Sequence, residues 1–212
     1  MLTKSLLNKL ECKARINLAS HMVGIGGVIG CPWLRWWINQ NFCAPPKTIL
    51  IMQDWGVATC VENNMNAAVQ TVEDALNGFS YGDRTMKKLF SVPEVRRAVR
   101  NGRLLITNAV WGVRKSGGKC SRLKDSAHRA AYPIWRQLVD TCAQPNFLLI
   151  TCGGWSKCSN LPDNTLNAYL QRWSAWAGPS LTKSFTPGRY LYLPHPSSTI
   201  RWKIPALILL IL

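Results

Sequence analysis

The sequence predicts a single α/β domain: a three-layer sandwich with a short, mainly parallel four-stranded central sheet and helices on both faces. Four short apolar runs have the length and residue types of buried strands, and segments with helical periodicity lie between them. With 212 residues, 47% of them apolar and 17% charged, the chain is long enough for one full core. We therefore expect one domain over residues 1–212.

The four apolar runs are rich in leucine, β-branched and aromatic residues, which suit strands buried on both faces. They cover residues 47–53 (KTILIMQ), 103–110 (RLLITNAV), 146–153 (NFLLITCG) and 189–194 (RYLYLP). Residues 1–45 precede the first run, and we expect them to form a helical or irregular lead-in to the same domain.

Helical patterns separate the predicted strands, at residues 64–78, 91–102, 124–144 and 162–178. Gly78 and Gly178 close the first and last of these helices. In the second, Ser91 is the predicted N-cap and Pro93 lies in the first turn. The third contains Pro133, where we expect a kink.

The chain is strongly basic, with 26 lysines and arginines against 10 acidic residues and a formal charge of +16. Charge of this size favours a polyanionic partner, and nucleic acid is the usual one. The basic loop RKSGGKCSRLK, residues 114–124, offers Arg114, Lys115 and Lys119 as contacts. The alternative is a basic surface without a partner.

Neither a metal nor a cofactor is indicated. The eight cysteines contain no C-x2-C pair, and ten acidic residues are few for a metal-dependent phosphate-cleaving site. The segment GIGGVIG has Ile29 where a dinucleotide-binding motif needs its third glycine. Residues 16–31 resemble a weak export signal, which leaves an exported or membrane-associated basic protein as a minor alternative. The apolar tail at 204–212 is too short to span a bilayer, so we expect no stable membrane association.

Sites in parallel sheets lie beyond the carboxyl ends of the strands. Asp54, Asn108 and His195 each lie at or just after the end of an apolar run, and His195 is held between Pro194 and Pro196. A carboxylate, an amide and an imidazole at one edge of the sheet can orient a water, bind the edge of a base and stabilise a developing anion.

The segments ILIMQDWG, LLITNAVWGVR, LLITCGGWSK and PHPSS resemble the signature segments of the uracil-DNA glycosylase superfamily, in the family's order. The resemblance covers about residues 45–200. It implies a monofunctional, metal-independent glycosylase that flips uracil out of DNA and hydrolyses the N-glycosidic bond. A catalytically silent, DNA-binding member of the same fold is the alternative.

The resemblance also implies roles for individual residues. Asp54 would orient the water and stabilise the positive sugar, His195 would stabilise the departing uracil anion, and Asn108 would bind the uracil edge. The other expected contacts are Gln53 through its backbone, Phe79 or Trp111 as the stacking aromatic, and Lys157, Ser197 and Ser198 on the DNA backbone.

Gly56 is the main departure from the family pattern, because many uracil-specific members have a tyrosine there that excludes the thymine methyl. Thr199 and Ile200 stand where an intercalating leucine is expected. We therefore expect a wider range of bases than uracil alone. The remaining expectations are a monomer that initiates base excision repair, located in the cytoplasm with the nucleoid or in the nucleus.

Overall fold

The structure, a computed structural model, describes residues 2–23, 30–52, 76, 89–114, 125–142, 144, 147–153 and 190–194. The helices are α1 (Lys4–Leu18), α2 (Pro32–Asn39), α3 (Pro93–Arg100) and α4 (Asp125–Cys142). The strands are β1 (Met22–Val23), β2 (Thr48–Met52), β3 (Leu104–Asn108), β4 (Val113–Arg114), β5 (Leu148–Gly153) and β6 (Tyr190–Pro194). Within these ranges the protein is mixed α/β, as the sequence predicts.

A small parallel sheet forms the centre of the fold. Strand β2 pairs in parallel with β3 on one side and with β5 on the other, and β6 continues the pairing beyond β5. Every residue of β2 and β3 is buried, as expected for strands covered on both faces. The prediction of parallel strands is confirmed at this level.

The strands begin one or two residues later than the apolar runs. Thr48 pairs with both Leu104 and Leu148, so one register row marks the start of β2, β3 and β5. The residues before this row lie outside the strands, although the carbonyls of Arg103 and Lys47 still accept hydrogen bonds from the N–H groups of Thr48 and Leu148. A second sheet, in which β1 and β4 pair antiparallel over two residues each, was not predicted.

Helices α1 and α2 are more than a lead-in. The buried side of α1 comprises Leu7, Leu10, Ala14 and Leu18, and these join the same hydrophobic cluster as the strands. Helix α1 contacts α4 and α2, and α2 contacts β3. Residues before the first strand therefore contribute a layer of the core, where the sequence predicted only an irregular or helical approach to it.

Helix α3 corrects one predicted cap. Its N-cap is Val92, which has extended backbone and no capping side chain, and Ser91 precedes it. Pro93 sets the position of the N-cap, because proline fits the first helical turn and forces the residue before it, Val92, out of the helical region. The helix ends as predicted before Gly102, whose φ of 66° favours glycine. A Cβ at Gly102 would also lie 2.5 Å from Cγ of Phe42.

Helix α4 runs from Asp125 to Cys142 with Pro133 inside it, so the prediction of a long helix that contains the proline is confirmed, and the kink at Pro133 stays a prediction. The predicted helices at 64–78 and 162–178 lie outside the described residues, except for Leu76, which is helical and buried. None of the helices in the described ranges is both long and apolar enough to cross a membrane.

The thiol of Cys142, at the end of α4, makes stability sensitive to alkaline pH. Burial raises the pKa of Cys142 from 9.0 to about 12. The unfolded chain then loses this proton at lower pH than the folded protein, so the contribution is fully present below about pH 9 and lost as the pH approaches 12. We expect the free energy of unfolding to fall by about 1.4 kcal/mol per pH unit from this group.

The measurement is urea unfolding at about pH 8, 9 and 10 for the wild type and for Cys142→Ala. Cys142→Ala lowers stability at every pH by leaving a cavity, but its stability declines less steeply above pH 9. Cys12→Ala is the control, because Cys12 is exposed on α1. Equal alkaline slopes in the wild type and Cys142→Ala would contradict the prediction.

Candidate functional site

The carboxyl ends of the parallel strands meet at one edge of the sheet. Met52 is in register with Asn108, and Gly153 with Pro194. Gln53 and Asp54 follow β2 directly, and His195 follows β6 directly, but all three lie outside the described residues. The other predicted site residues outside the described ranges are Gly56, Phe79, Lys115, Lys119, Lys157, Ser197 and Ser198.

The strand order places a topological switch point at this edge. The order is β3–β2–β5–β6. The chain leaves β2 toward β3 on one side and leaves β5 toward β6 on the other, so the direction of the connections reverses between β2 and β5. Ligands of open α/β sheets bind outside the carboxyl ends at such a switch point. Adjacent strands are about 4.8 Å apart, so the four strand ends span roughly 14 Å.

Asn108 is the predicted site residue that the structure describes most fully. It is the last residue of β3 and is 2% exposed. Its Oδ1 is buried and has no hydrogen-bond partner among the residues that the structure describes. Leaving such an acceptor unpaired costs about 1–3 kcal/mol, so a buried unpaired amide in a native fold calls for an explanation. A ligand donor at the sheet edge would supply the missing partner.

Contacts on its main chain hold Asn108 in place. The indole Nε1–H of Trp111 donates to the Asn108 carbonyl at 3.1 Å, and the Thr107 hydroxyl donates to the same carbonyl at 3.4 Å. The Ala109 N–H donates to the Met52 carbonyl at 2.6 Å, which ties the exit of β3 to the end of β2. The amide of Asn108 therefore projects from a fixed backbone.

Cys31, just before α2, completes this support. Its Sγ lies 3.2 Å from Oγ1 of Thr107, and both side chains are buried. Burial raises the pKa of the Cys31 thiol, more than its hydrogen bond with Thr107 lowers it, so the thiol stays protonated and neutral. Sequence reasoning did not find Cys31 or Thr107 as supporting residues, because neither lies near Asp54 or His195 in the chain.

Trp111 belongs to the core. It is 0% exposed, and its polar atom is used on Asn108, so neither face of its ring is open to solvent. The sequence offered Trp111 as one of two candidates for stacking on a base. Its observed contacts make it a residue that positions Asn108.

Arg114 lies in β4, opposite Met22 of β1. The antiparallel pair ties the loop after β3 to the segment after α1. Arg114 is the one residue of the predicted basic loop 114–124 that the structure describes, and its side chain is half-buried.

No three His, Cys, Asp or Glu side chains of the described residues lie close enough together to hold a metal ion. Comparison with known proteins found no matching family model, no matching curated protein and no matching solved structure.

The hydrogen bond from Trp111 can be measured against a matched tryptophan. Trp37 is also buried, but its Nε1 has no acceptor among the described residues. Trp111→Phe removes ring volume and a hydrogen bond, whereas Trp37→Phe removes ring volume and a buried donor that has no acceptor, which relieves a penalty. We expect Trp111→Phe to lower the free energy of unfolding by about 1–2 kcal/mol more than Trp37→Phe does. Urea unfolding of both variants checks this, and equal losses would mean that the bond contributes nothing.

Proposed function

We propose that this protein is a monofunctional DNA glycosylase that flips uracil out of DNA and hydrolyses its N-glycosidic bond. The space left by Gly56 would admit other deaminated bases. The proposed fold is the three-layer sandwich with four strands. The handedness of the connections supports this fold. The connections β2–α3–β3 and β3–α4–β5 run in opposite directions across the sheet. Because connections between parallel strands are right-handed, α3 and α4 are then expected on opposite faces of the sheet.

One observation carries the proposal: Asn108, a buried side chain whose Oδ1 has no partner among the described residues, ends β3, one strand away from the switch point between β2 and β5. The segments with the predicted carboxylate and imidazole begin at the same edge. Asp54 is two residues beyond the end of β2, and His195 is one residue beyond the end of β6. A span of roughly 14 Å across four strand ends leaves room for a flipped base between these groups.

Each of the three side chains has its own role in the proposed reaction. As the C1′–N bond breaks, its electron pair leaves with the base, and positive charge develops on the sugar. The Asp54 carboxylate stabilises that charge and orients the water, whose oxygen bonds to C1′ and whose proton is released. The His195 imidazole stabilises the base anion, and the Asn108 amide binds the base edge. These steps use no metal or cofactor.

The excess of basic residues supports DNA as the partner. Flipping a base costs a few kcal/mol, and contacts between a chain of charge +16 and phosphates can offset that cost. A monomer suffices for this reaction, and the substrate puts the protein with the nucleoid in the cytoplasm or in the nucleus.

The test is a panel of single- and double-stranded oligonucleotides, each with one uracil, hypoxanthine or mismatched thymine, scored for abasic sites. We expect cleavage of uracil substrates and of at least one other. Asp54→Asn, purified in parallel, controls for contaminating glycosylases. Tight DNA binding without abasic sites on any substrate would favour the silent DNA-binding alternative.

A further inference from the structure

A basic cleft lies along one face of α3. It has a volume of about 410 Å³ and is lined by Leu76, Pro93, Arg96, Arg97, Arg100 and Asn101. The helical positions recur at intervals of three and four residues, so they share one side of the helix. The opposite side, Val95, Ala98 and Val99, is buried in the core. We call this feature the α3 cleft.

The guanidinium groups of Arg96, Arg97 and Arg100 lie together in this cleft. Glu94, in the first turn, is the acidic residue of α3. The side chains of Arg96 and Arg97 form no hydrogen bond or ion pair with any residue in the described ranges. Arg96 is half-buried, and Arg97 and Arg100 are exposed. Pairs of like charges three and four residues apart on a helix destabilise it by about 0.2–0.5 kcal/mol each.

Capping does not explain the arginines. Backbone N–H groups already satisfy the last carbonyls of α3: Asn101 donates to Arg97, Gly102 to Val99 and Arg103 to Ala98. The last two bonds form a Schellman motif. The helix dipole favours each cation in the last turn, Arg97 and Arg100, by about 0.3–1 kcal/mol, and the repulsion among the arginines offsets part of this gain.

We propose that the α3 cleft binds the phosphate backbone of duplex DNA, at a surface separate from the candidate site. The planar guanidinium fork matches phosphate oxygens, and Asn101 adds an amide. Small-molecule pockets are mostly apolar, whereas four of the six described lining residues of this cleft are arginines or Asn101. A polyanion also agrees with the excess of 26 basic over 10 acidic residues.

The arginines lie away from the candidate site. They occupy the second half of α3, which leads through Gly102 into the amino end of β3. Asn108 lies at the other end of β3, about 13 Å along the strand. The cleft thus contributes DNA affinity and leaves the chemistry of excision to the opposite edge.

The experiment measures binding of an undamaged duplex by the full chain across a salt series. The double variant Arg96→Gln/Arg97→Gln should bind several-fold more weakly, and the slope of log K against log salt should become shallower by roughly 0.9 for each lost contact. Lys4→Gln/Lys9→Gln is the matched control, since it removes the same charge from exposed positions of α1. We expect this control to lose little affinity.

Arg97→Glu is the second variant, and we expect it to lose more DNA affinity. Circular dichroism checks that each variant is folded. Equal losses in the α3 and α1 double variants would overturn the proposal, because they would reflect net charge alone. Inorganic phosphate, added at constant ionic strength, gives a second test. The proposal would also be overturned if this phosphate abolished the difference in DNA affinity between the wild type and the α3 double variant while the wild type bound DNA as tightly as before. The binding measurements test the α3 cleft whether or not excision is detected. If excision is detected, the α3 variants should have the wild-type single-turnover rate at saturating DNA.

Discussion

Replacing His195 with leucine is expected to lower the single-turnover rate of uracil excision by about 10²–10³-fold and to leave DNA affinity nearly unchanged. The reason is preorganisation. Pro194 ends β6 in register with Gly153, and Pro196 restricts the backbone of His195 from the other side. A donor already in place when the base leaves pays no ordering entropy in the transition state.

Asp54→Asn is expected to act on the same scale, because it removes the negative charge proposed to stabilise the sugar cation while keeping the side-chain shape. The measurements are single-turnover excision and binding to a non-cleavable substrate analogue. His21→Leu is the matched control, since this half-buried histidine follows α1. If both the His195 and Asp54 variants excised uracil at the wild-type rate, the site would lie elsewhere and the resemblance would have misled the assignment.

The parts of the fold that follow from local pattern could be predicted from the sequence. Continuous apolar runs such as Leu104–Asn108 indicate strands buried on both faces, and parallel pairing follows from the helices between them. The two-residue strands β1 and β4 could not be predicted, because two residues carry no periodicity. The order β3–β2–β5–β6 depends on which strands meet in space, and local pattern does not specify that.

The site divides in the same way. The position of Asn108 follows from the end of its strand, so the sequence predicts it. The contacts that support Asn108 cannot be predicted in this way. Cys31 lies 76 residues from Thr107 in the chain, and only the packing of α2 against β3 brings the two side chains together. For Trp111, the residue type alone does not distinguish two roles, because an aromatic residue after a strand can either stack on a base or pack in the core. Its burial and its bond to Asn108 are visible only in three dimensions.

Asn108→Ala should separate activity from stability. We expect excision to slow by about 10²-fold or more and base discrimination to fall, because the amide that binds the base edge is lost. The free energy of unfolding should change by less than about 1 kcal/mol. Removing a buried Oδ1 that has no partner relieves a penalty of about 1–3 kcal/mol, which offsets the packing lost with the side chain.

Thr107→Val is the matched control, one residue earlier in β3. It keeps the side-chain shape but removes the hydroxyl that bonds Cys31 and the Asn108 carbonyl, so it should cost about 1–2 kcal/mol of stability. Its excision rate should fall far less than that of Asn108→Ala. Urea unfolding and single-turnover excision on uracil and hypoxanthine substrates check both variants. If Asn108→Ala were strongly destabilised and still discriminated between the bases, Asn108 would be a structural residue and the base edge would be bound by another group.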